Sequence, residues 1–318
     1  MAVLFTGINL GFTMAKQGRS NLLDAVKVIM AFLVVSIHTI IPGSELKYLL
    51  TQGIARIAVP FFFLSAGYFF SGKDSSDDLI KVLKRLFYLY VCWWLFYLPF
   101  ISRELYSNNF SLEGFSFNLM LLIVKGWCHL WFMPAMILGI YTYYLLRGKK
   151  YLYTVALALY IIGVLIQNTI TPSQYSILYY RNFLLFGFPL VALGSLLRNS
   201  FFSKISTSNL LVTLVISISM LIAESAMKFK EGIYSNDMLI TAPIVASILI
   251  LLAANASINI QFDTKTMATS IYFIHFFFYL ILKNHIANDV YLFFSVSVLS
   301  VLFSLVMRKS LLYRKIFT

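Results

Sequence analysis

The chain has 318 residues, of which 60% are hydrophobic and only 12% are charged, and its formal net charge is +13. Soluble globular domains carry about 25% charged residues, so the composition excludes that class and indicates an integral membrane protein. The basic excess fits either nucleic-acid binding or the cytoplasmic loops of a membrane protein, and its distribution along the chain decides between them.

Apolar runs recur along nearly the whole chain, each close to the roughly 20 residues that cross a bilayer as a helix. They predict an all-α, polytopic integral membrane protein with about ten transmembrane helices. The predicted spans are 22–41, 54–72, 84–101, 127–146, 151–169, 181–198, 209–227, 238–254, 268–283 and 289–307.

These spans divide the chain into three parts. Residues 1–21 are predicted to form a short cytoplasmic segment, part of which is a candidate start-site artefact because Met14 offers an alternative start. Residues 22–307 are predicted to form one transmembrane domain, and residues 308–318 a basic cytoplasmic tail. If both termini face the cytoplasm, 16 of the 25 Lys and Arg residues lie in cytoplasmic segments. This asymmetry follows the positive-inside rule and favours a multi-pass membrane protein over a nucleic-acid partner.

The first span contains Asp24, Lys27 and His38. A charge at mid-membrane costs about 2.5 to 3.5 kcal/mol on insertion scales, so such residues usually line a functional cavity. Eleven positions separate Lys27 from His38, which places the two on nearly the same helical face about 16 Å apart. The imidazole can exchange protons near neutral pH. The alternative is an Asp24–Lys27 pair that only fixes helix packing, with His38 donating to a neighbouring carbonyl.

The second span carries a permanent charge at Arg56, about one turn before Pro60. Proline leaves one backbone carbonyl of the preceding turn without its helical partner. Ser65 and the small residues after it allow another helix or a ligand to approach closely. The entrance of the third span presents a cluster of cations suited to phosphate groups. That cluster consists of Lys81, Lys84 and Arg85.

Two later spans add polar and aromatic residues. The fourth begins with Trp127, His129 and Trp131, and the ninth contains Tyr272 and His275. Tryptophans at this depth are also typical interfacial anchors, so taken alone they do not identify a site.

Four motifs in this order resemble the membrane-bound acyltransferase-3 family, whose members have ten such helices. They are Lys27-x10-His38, Arg56 before Val59–Tyr68, His129-Leu130-Trp131-Phe132, and Ser270-x-Tyr272-Phe273-Ile274-His275. The resemblance implies transfer of an acyl group, most often acetyl, from cytoplasmic acyl-CoA to a hydroxyl of a cell-surface or lipid-linked glycan. It also implies a location in the cell inner membrane, in contact with membrane lipids.

The resemblance implies that Lys27 and His38 are the essential residues of the first-span motif. It also implies that Lys81 and Lys84 are the basic pair characteristic of the third span. Lysine stands at both basic positions where the family more often has arginine, which keeps the charge but loses the bidentate fork. The usual Leu-Ser-Gly gains one residue here, as Leu64–Gly67. These departures concern the geometry of the ligand more than the reaction class.

The chemistry of the residues fits this reaction. Attack of a sugar hydroxyl on a thioester needs a base, and His38 is our candidate, with Lys27 as its catalytic partner. A covalent acyl-His38 intermediate is the alternative to direct transfer. Acetyl-CoA is the expected donor, bound by Lys81, Lys84, Arg85 and Arg56. We expect the acceptor cavity to be lined by Asp24, His129, Trp131, Ser65, Tyr272 and His275.

The main rival is a transporter or flippase of a glycan or small polar solute, because a Pro-interrupted span with intramembrane charges also suits alternating access. The concentration of polar residues in the first three spans, without clear repetition between the halves, favours the enzyme. Histidine and cysteine spacing gives no metal motif, so no metal is expected.

Overall fold

A computed structural model describes residues 21–73, 75–107, 119, 123, 125–170, 176–233, 236–256, 266–310 and 313. These residues form helices and connectors without any strand, which confirms the predicted all-α class. Ten helices in this part of the chain correspond to the ten predicted spans. They are α1 (Asn21–Thr39), α2 (Glu45–Phe70), α3 (Ser76–Ser107), α4 (Cys128–Leu146), α5 (Leu152–Thr169), α6 (Phe183–Leu196), α7 (Thr207–Lys230), α8 (Ala242–Asn255), α9 (Met267–Leu282) and α10 (Asp289–Met307).

Six of these helices are long and apolar enough to cross a membrane by length and composition: α1, α2, α4, α5, α7 and α10. Helices α6, α8 and α9 are shorter but equally apolar. Helix α3 is 32 residues long and carries its charges mainly in the first turns. The chain is therefore a multi-pass membrane protein.

Two helix boundaries differ from the prediction. Helix α2 begins at Glu45 rather than near residue 54, and α3 extends over 76–107 rather than 84–101. Polar residues at the start of α2 resemble a loop in sequence, but their side chains are paired in the structure. The Lys47 ammonium lies 2.7 Å from the Asp289 carboxylate, and the Gln52 side chain accepts a hydrogen bond from Arg56. Residues 1–20 of the predicted segment 1–21 lie outside the described residues, as do residues 311, 312 and 314–318 of the predicted tail 308–318.

The helices define two ends of the bundle. At the first, which we call the site end, the connector after α1 meets the start of α10, since the Ile41 amide donates to Asp289. The start of α2 meets the connector after α7 at the same end, where the Tyr48 hydroxyl donates to the Ile233 carbonyl. At the opposite, basic end, the Lys27 ammonium lies 4.7 Å from the centre of the Phe69 ring.

Helices α2 and α6 cross in close contact at two glycines. A Cβ atom at Gly67 would lie 2.0 Å from the Val191 carbonyl oxygen, and one at Gly194 would lie 2.0 Å from the Leu64 carbonyl oxygen. Only glycine permits the backbones to approach this closely. The crossing holds α2, which carries Arg56, against α6, which begins two residues after Arg181.

Candidate functional site

A cavity of about 190 Å³ opens among the helices at the site end. Seven elements contribute its walls: α1, α2, the start of α4, the turn before α6, α6 itself, the connector before α8, and α9. Its lining residues are Val34, Ile37, His38, Arg56, Val59, Cys128, His129, Trp131, Arg181, Phe186, Asp237, Tyr272 and Phe276. Five predicted site residues from four separate spans thus line one chamber: His38, Arg56, His129, Trp131 and Tyr272.

Three imidazoles meet at one side of this cavity. The His275 ring centre lies 5.3 Å from that of His38 and 5.2 Å from that of His129. His275 is completely buried, and its Nδ1 lies 3.1 Å from the Ile271 carbonyl oxygen. A carbonyl only accepts, so Nδ1 carries the proton and Nε2 is the free acceptor. Within the described residues, that Nε2 and both ring nitrogens of buried His129 have no hydrogen-bond partner.

The backbone before α4 turns sharply to aim His129 inward. Gly126 has φ of +77°, and a Cβ there would lie 2.6 Å from the Leu130 backbone. Cys128 adopts φ of +45°, a left-handed conformation that is uncommon outside glycine and is often found at functional sites. The Tyr272 hydroxyl then holds the turn by donating to the His129 carbonyl at 2.8 Å.

Two arginines that line the cavity, buried Arg56 and partly exposed Arg181, share one carboxylate. Arg56 Nη1 donates to Asp237 Oδ1 at 2.5 Å, and Arg181 Nη2 donates to the same oxygen at 2.8 Å. Arg56 also donates to the Gln52 side chain through Nε and Nη2. The Arg181 guanidinium lies over the Trp131 ring, 4.9 Å from its centre. This arrangement holds two cations and one anion in fixed positions beside the imidazoles.

Hydrogen bonds from two other helices, α5 and α7, fix the connector that carries Asp237. The Gln167 side chain accepts from the Asp237 and Met238 amides at 2.9 and 2.8 Å. The Tyr160 hydroxyl donates to the Leu239 carbonyl at 2.8 Å, and Glu224 accepts from the Thr241 hydroxyl at 2.6 Å. An irregular segment in a membrane protein needs such partners because lipid supplies none.

Wide helical turns adjoin both arginines. A π-helical turn over Leu49–Gly53 precedes Arg56, and a second over Phe183–Gly187 follows Arg181. The second turn is capped by Asn182, whose side chain accepts from the amides of Leu184 and Leu185. Such turns are rare and are frequently found at functional sites.

Burial and charge act in opposite directions on Asp237. Burial alone would raise the pKa of its carboxyl, but the Arg181 and Arg56 guanidiniums outweigh burial and hold the pKa below its usual range. Asp237 is therefore an anion at neutral pH.

The other predicted site residues lie away from the cavity lining. Lys27 pairs with Asp24 at 3.2 Å near the basic end of α1. The cavity lining extends along α1 only to Val34, seven residues or about 10 Å from Lys27. Ser65 is buried within α2. Three more cations are exposed on the first turns of α3, also at the basic end: Lys81, Lys84 and Arg85.

Sequence reasoning missed Asp237. Its partners Arg56 and Arg181 lie 181 and 56 positions away, so no local spacing connects them. The available signal was an acidic residue directly before an apolar helix, in a chain with only 12 acidic residues.

Comparison with protein families matches residues 21–309 to the family acyltransferase 3, described as an acyltransferase domain. Among curated proteins, a serine/alanine racemase of Enterococcus gallinarum is 30% identical over 255 residues, which is 70% of this chain and 35% of that protein. An amino-acid racemase of Enterococcus faecalis is 33% identical over 164 residues, which is 46% of this chain and 22% of that protein. The chain thus spans about a third or less of the length of these relatives. No solved structure matches the chain.

Proposed function

The chain belongs to the acyltransferase-3 family and, from that premise, we propose that it transfers an acetyl group from acetyl-CoA to a hydroxyl of a cell-surface or lipid-linked glycan. The observation that carries the proposal is the position of His38. This motif histidine lines a polar cavity inside a bundle of membrane helices, together with Arg56, His129 and Trp131. Racemase activity is not assigned to this chain, because the matches span at most 35% of those proteins.

His38 acts as the general base in this reaction. Its imidazole takes the proton of the acceptor hydroxyl while the hydroxyl oxygen attacks the thioester carbonyl. The tetrahedral intermediate collapses by breaking the carbon–sulfur bond, and the CoA thiolate recovers the proton from His38. The products are the O-acetylated glycan and free CoA. Direct transfer requires donor and acceptor in the cavity together, whereas an acyl-His38 intermediate would not.

Arg56 is suited to stabilise the negative charge that develops on the carbonyl oxygen. Its side chain is buried, and its bonds to Asp237 and Gln52 hold the guanidinium in place before substrate arrives. Such preorganisation costs no rearrangement at the moment of reaction. We therefore assign Arg56 to the transferring acyl group rather than to the CoA phosphates expected from sequence.

The donor enters from the basic end, which we propose faces the cytoplasm of an inner-membrane protein with both termini on that side. Lys81, Lys84 and Arg85 are exposed there and suited to bind the phosphates of CoA. The roughly 16 Å from Lys27 to His38 along α1 is spanned by the extended pantetheine arm. Because the cavity lining ends at Val34, we propose that the helices part between Val34 and Lys27 to admit this arm.

Thioester cleavage tests the reaction class. The full-length protein, purified into lipid vesicles, is given acetyl-CoA with and without a panel of methyl glycosides, and the free CoA thiol is measured. An acyltransferase releases CoA in proportion to the acceptor acetylated. A transporter or flippase moves solute across the vesicle membrane and leaves the thioester intact.

A second experiment identifies the acceptor in cells. Surface and lipid-linked glycans are compared by mass spectrometry between cells that express the wild-type chain and cells that express His38→Ala. We expect an acetyl group on one glycan class in the wild type only. An identical acetylation pattern in both cells would overturn the proposal.

A further inference from the structure

We infer that Arg181, held by Asp237, forms a subsite for an anionic group on the acceptor, so that the acceptor is a sugar-sized alcohol bearing a carboxylate or phosphate. The identification of this ligand as the acceptor rests on the proposed function. The binding site itself is argued from the cavity and is testable without any acyl transfer.

The charges of the cavity wall do not balance. Of the residues that line it, Arg56 and Arg181 are cations and Asp237 is the single formal anion. A buried charge without a partner is costly in a protein that crosses a membrane. A negative group on a bound molecule would offset the excess positive charge. The wall therefore favours an anionic ligand over a neutral one.

Arg181 is the more accessible of the two arginines. Its side chain is 21% exposed, against 9% for Arg56. Arg56 has its Nε and both terminal nitrogens bonded to Gln52 and Asp237. Arg181 uses Nη2 for Asp237, and its buried Nε has no partner among the described residues. A guanidinium with donors to spare is suited to bind a carboxylate or phosphate oxygen.

The position of Arg181 is fixed rather than adaptable. Asp237 holds one edge of the guanidinium, and the Trp131 ring supports its face at 4.9 Å. Asp237 is itself anchored by Gln167 through its backbone amide. A cation held in this way loses little conformational entropy on binding, so its contact with an anion contributes more to affinity.

The size and remaining walls of the cavity define the rest of the ligand. A volume of about 190 Å³ is modestly larger than the roughly 150 Å³ that holds a single benzene ring. Trp131, Tyr272 and Phe276 present aromatic surface to it, which suits the apolar face of a sugar. His38, whose ring centre lies 5.2 Å from that of Phe276, lines the same cavity and can receive the proton of a hydroxyl. One sugar ring with an anionic substituent therefore satisfies volume, aromatic surface and charge together.

The test is a binding measurement with three matched probes. Methyl glucuronide carries a carboxylate, glucose 6-phosphate carries a phosphate, and methyl glucoside is neutral. Ligand-dependent thermal stabilisation of the full-length protein in detergent gives a Kd for each at constant ionic strength. One charge-assisted hydrogen bond is worth about 1.5 to 3 kcal/mol, so we expect an anionic probe to bind at least about tenfold more tightly than the neutral one. The arm that binds more tightly distinguishes carboxylate from phosphate.

Variants assign this preference to Arg181. We expect Arg181→Gln to reduce the neutral-to-anionic Kd ratio to near one and Arg181→Lys to keep part of it, because lysine keeps the charge without the fork. Arg103→Gln, an exposed arginine of α3, is the matched control and should leave the ratio unchanged. If Arg181→Gln fails to fold, the Lys variant alone decides, since a reduced ratio is still required.

Two results would overturn the inference: equal affinity for the neutral and anionic probes in the wild type, or an unchanged ratio in a folded Arg181 variant. Neither depends on acetyl-CoA. If the proposed function failed but the anion preference held, binding would persist in the complete absence of CoA release. If only the inference failed, CoA release would proceed equally well with neutral glycosides.

Discussion

Replacement of Asp237 by Asn tests whether the carboxylate neutralises the two arginines of the cavity. The amide keeps the size of the side chain and an oxygen that can accept a hydrogen bond, but it removes the charge. Buried Arg56 and partly exposed Arg181 then face one another as two cations with no anion among the cavity-lining residues. Removing one partner of a buried ion pair typically destabilises a protein by about 3 to 5 kcal/mol, and we expect Asp237→Asn to fall in this range.

The double variant Arg181→Gln/Asp237→Asn separates the effect of charge from that of hydrogen-bond geometry. Arg181→Gln alone leaves the neutral Arg56–Asp237 pair, so its cost should be smaller than that of Asp237→Asn. Adding Arg181→Gln to Asp237→Asn removes one of the two unbalanced cations. The double variant should therefore be more stable than Asp237→Asn, which is the opposite of two additive losses.

Unfolding of the purified protein in detergent, followed by tryptophan fluorescence against temperature or denaturant, measures this order. Asp77→Asn serves as the control because Asp77 is exposed at the start of α3, where loss of one charge costs little. A double variant less stable than Asp237→Asn would refute the charge-balance reasoning. It would show that hydrogen-bond geometry, rather than charge, dominates at this site.

Three further predictions concern acid stability, donor binding and the crossing of α2 with α6. The arginines lower the pKa of Asp237, so its carboxylate stabilises the folded protein above the unfolded carboxyl pKa of about 3.9, and this stabilisation is lost as pH falls through the lower folded pKa. Acid unfolding of Asp237→Asn should therefore lack this loss of stability. Identical acid-unfolding profiles for the wild type and the variant would contradict the prediction. Replacing Lys81 and Lys84 together by Gln should raise the KM for acetyl-CoA about tenfold at low salt with little change in kcat. The difference in KM between variant and wild type should shrink at high salt, because salt screens exposed charges. An unchanged KM would show that these lysines do not bind the donor. Gly67→Ala would place its Cβ 2.0 Å from the Val191 carbonyl oxygen and should cost at least about 1 to 3 kcal/mol in unfolding experiments. Gly43→Ala, with nothing within 4 Å of the new Cβ, is the matched control, and equal stability of the two variants would contradict the close crossing.

The sequence was sufficient to predict the helical class and three of the polar residues that line the cavity. Runs of apolar residues predict each helix, because a bilayer imposes one length on every span. His38, Arg56 and His129 stood out because polar groups at membrane depth are costly unless they serve a function. The structure brings these three residues from three separate spans to the lining of one cavity.

The remaining features depend on contacts distant in sequence. The start of α2 lay outside the predicted span, which began near residue 54. In the structure Lys47 pairs there with Asp289, and the Gln52 side chain accepts from the Asn236 amide, so both partners are distant in sequence. Asp237 lies in an irregular connector whose shape depends on hydrogen bonds from other helices. Neither local propensity nor hydropathy encodes such pairings, so this acidic residue could not be assigned to the cavity from sequence.

The most direct test of the account is the acceptor-dependent rate of CoA release by the His38→Ala protein. His285→Ala is the matched control, because His285 is exposed in the connector before α10 and away from the cavity lining. The account predicts that His38→Ala abolishes release while the protein still inserts and folds, and that His285→Ala retains the wild-type rate. Release by folded His38→Ala protein at the wild-type rate would contradict the assignment of His38 as the base.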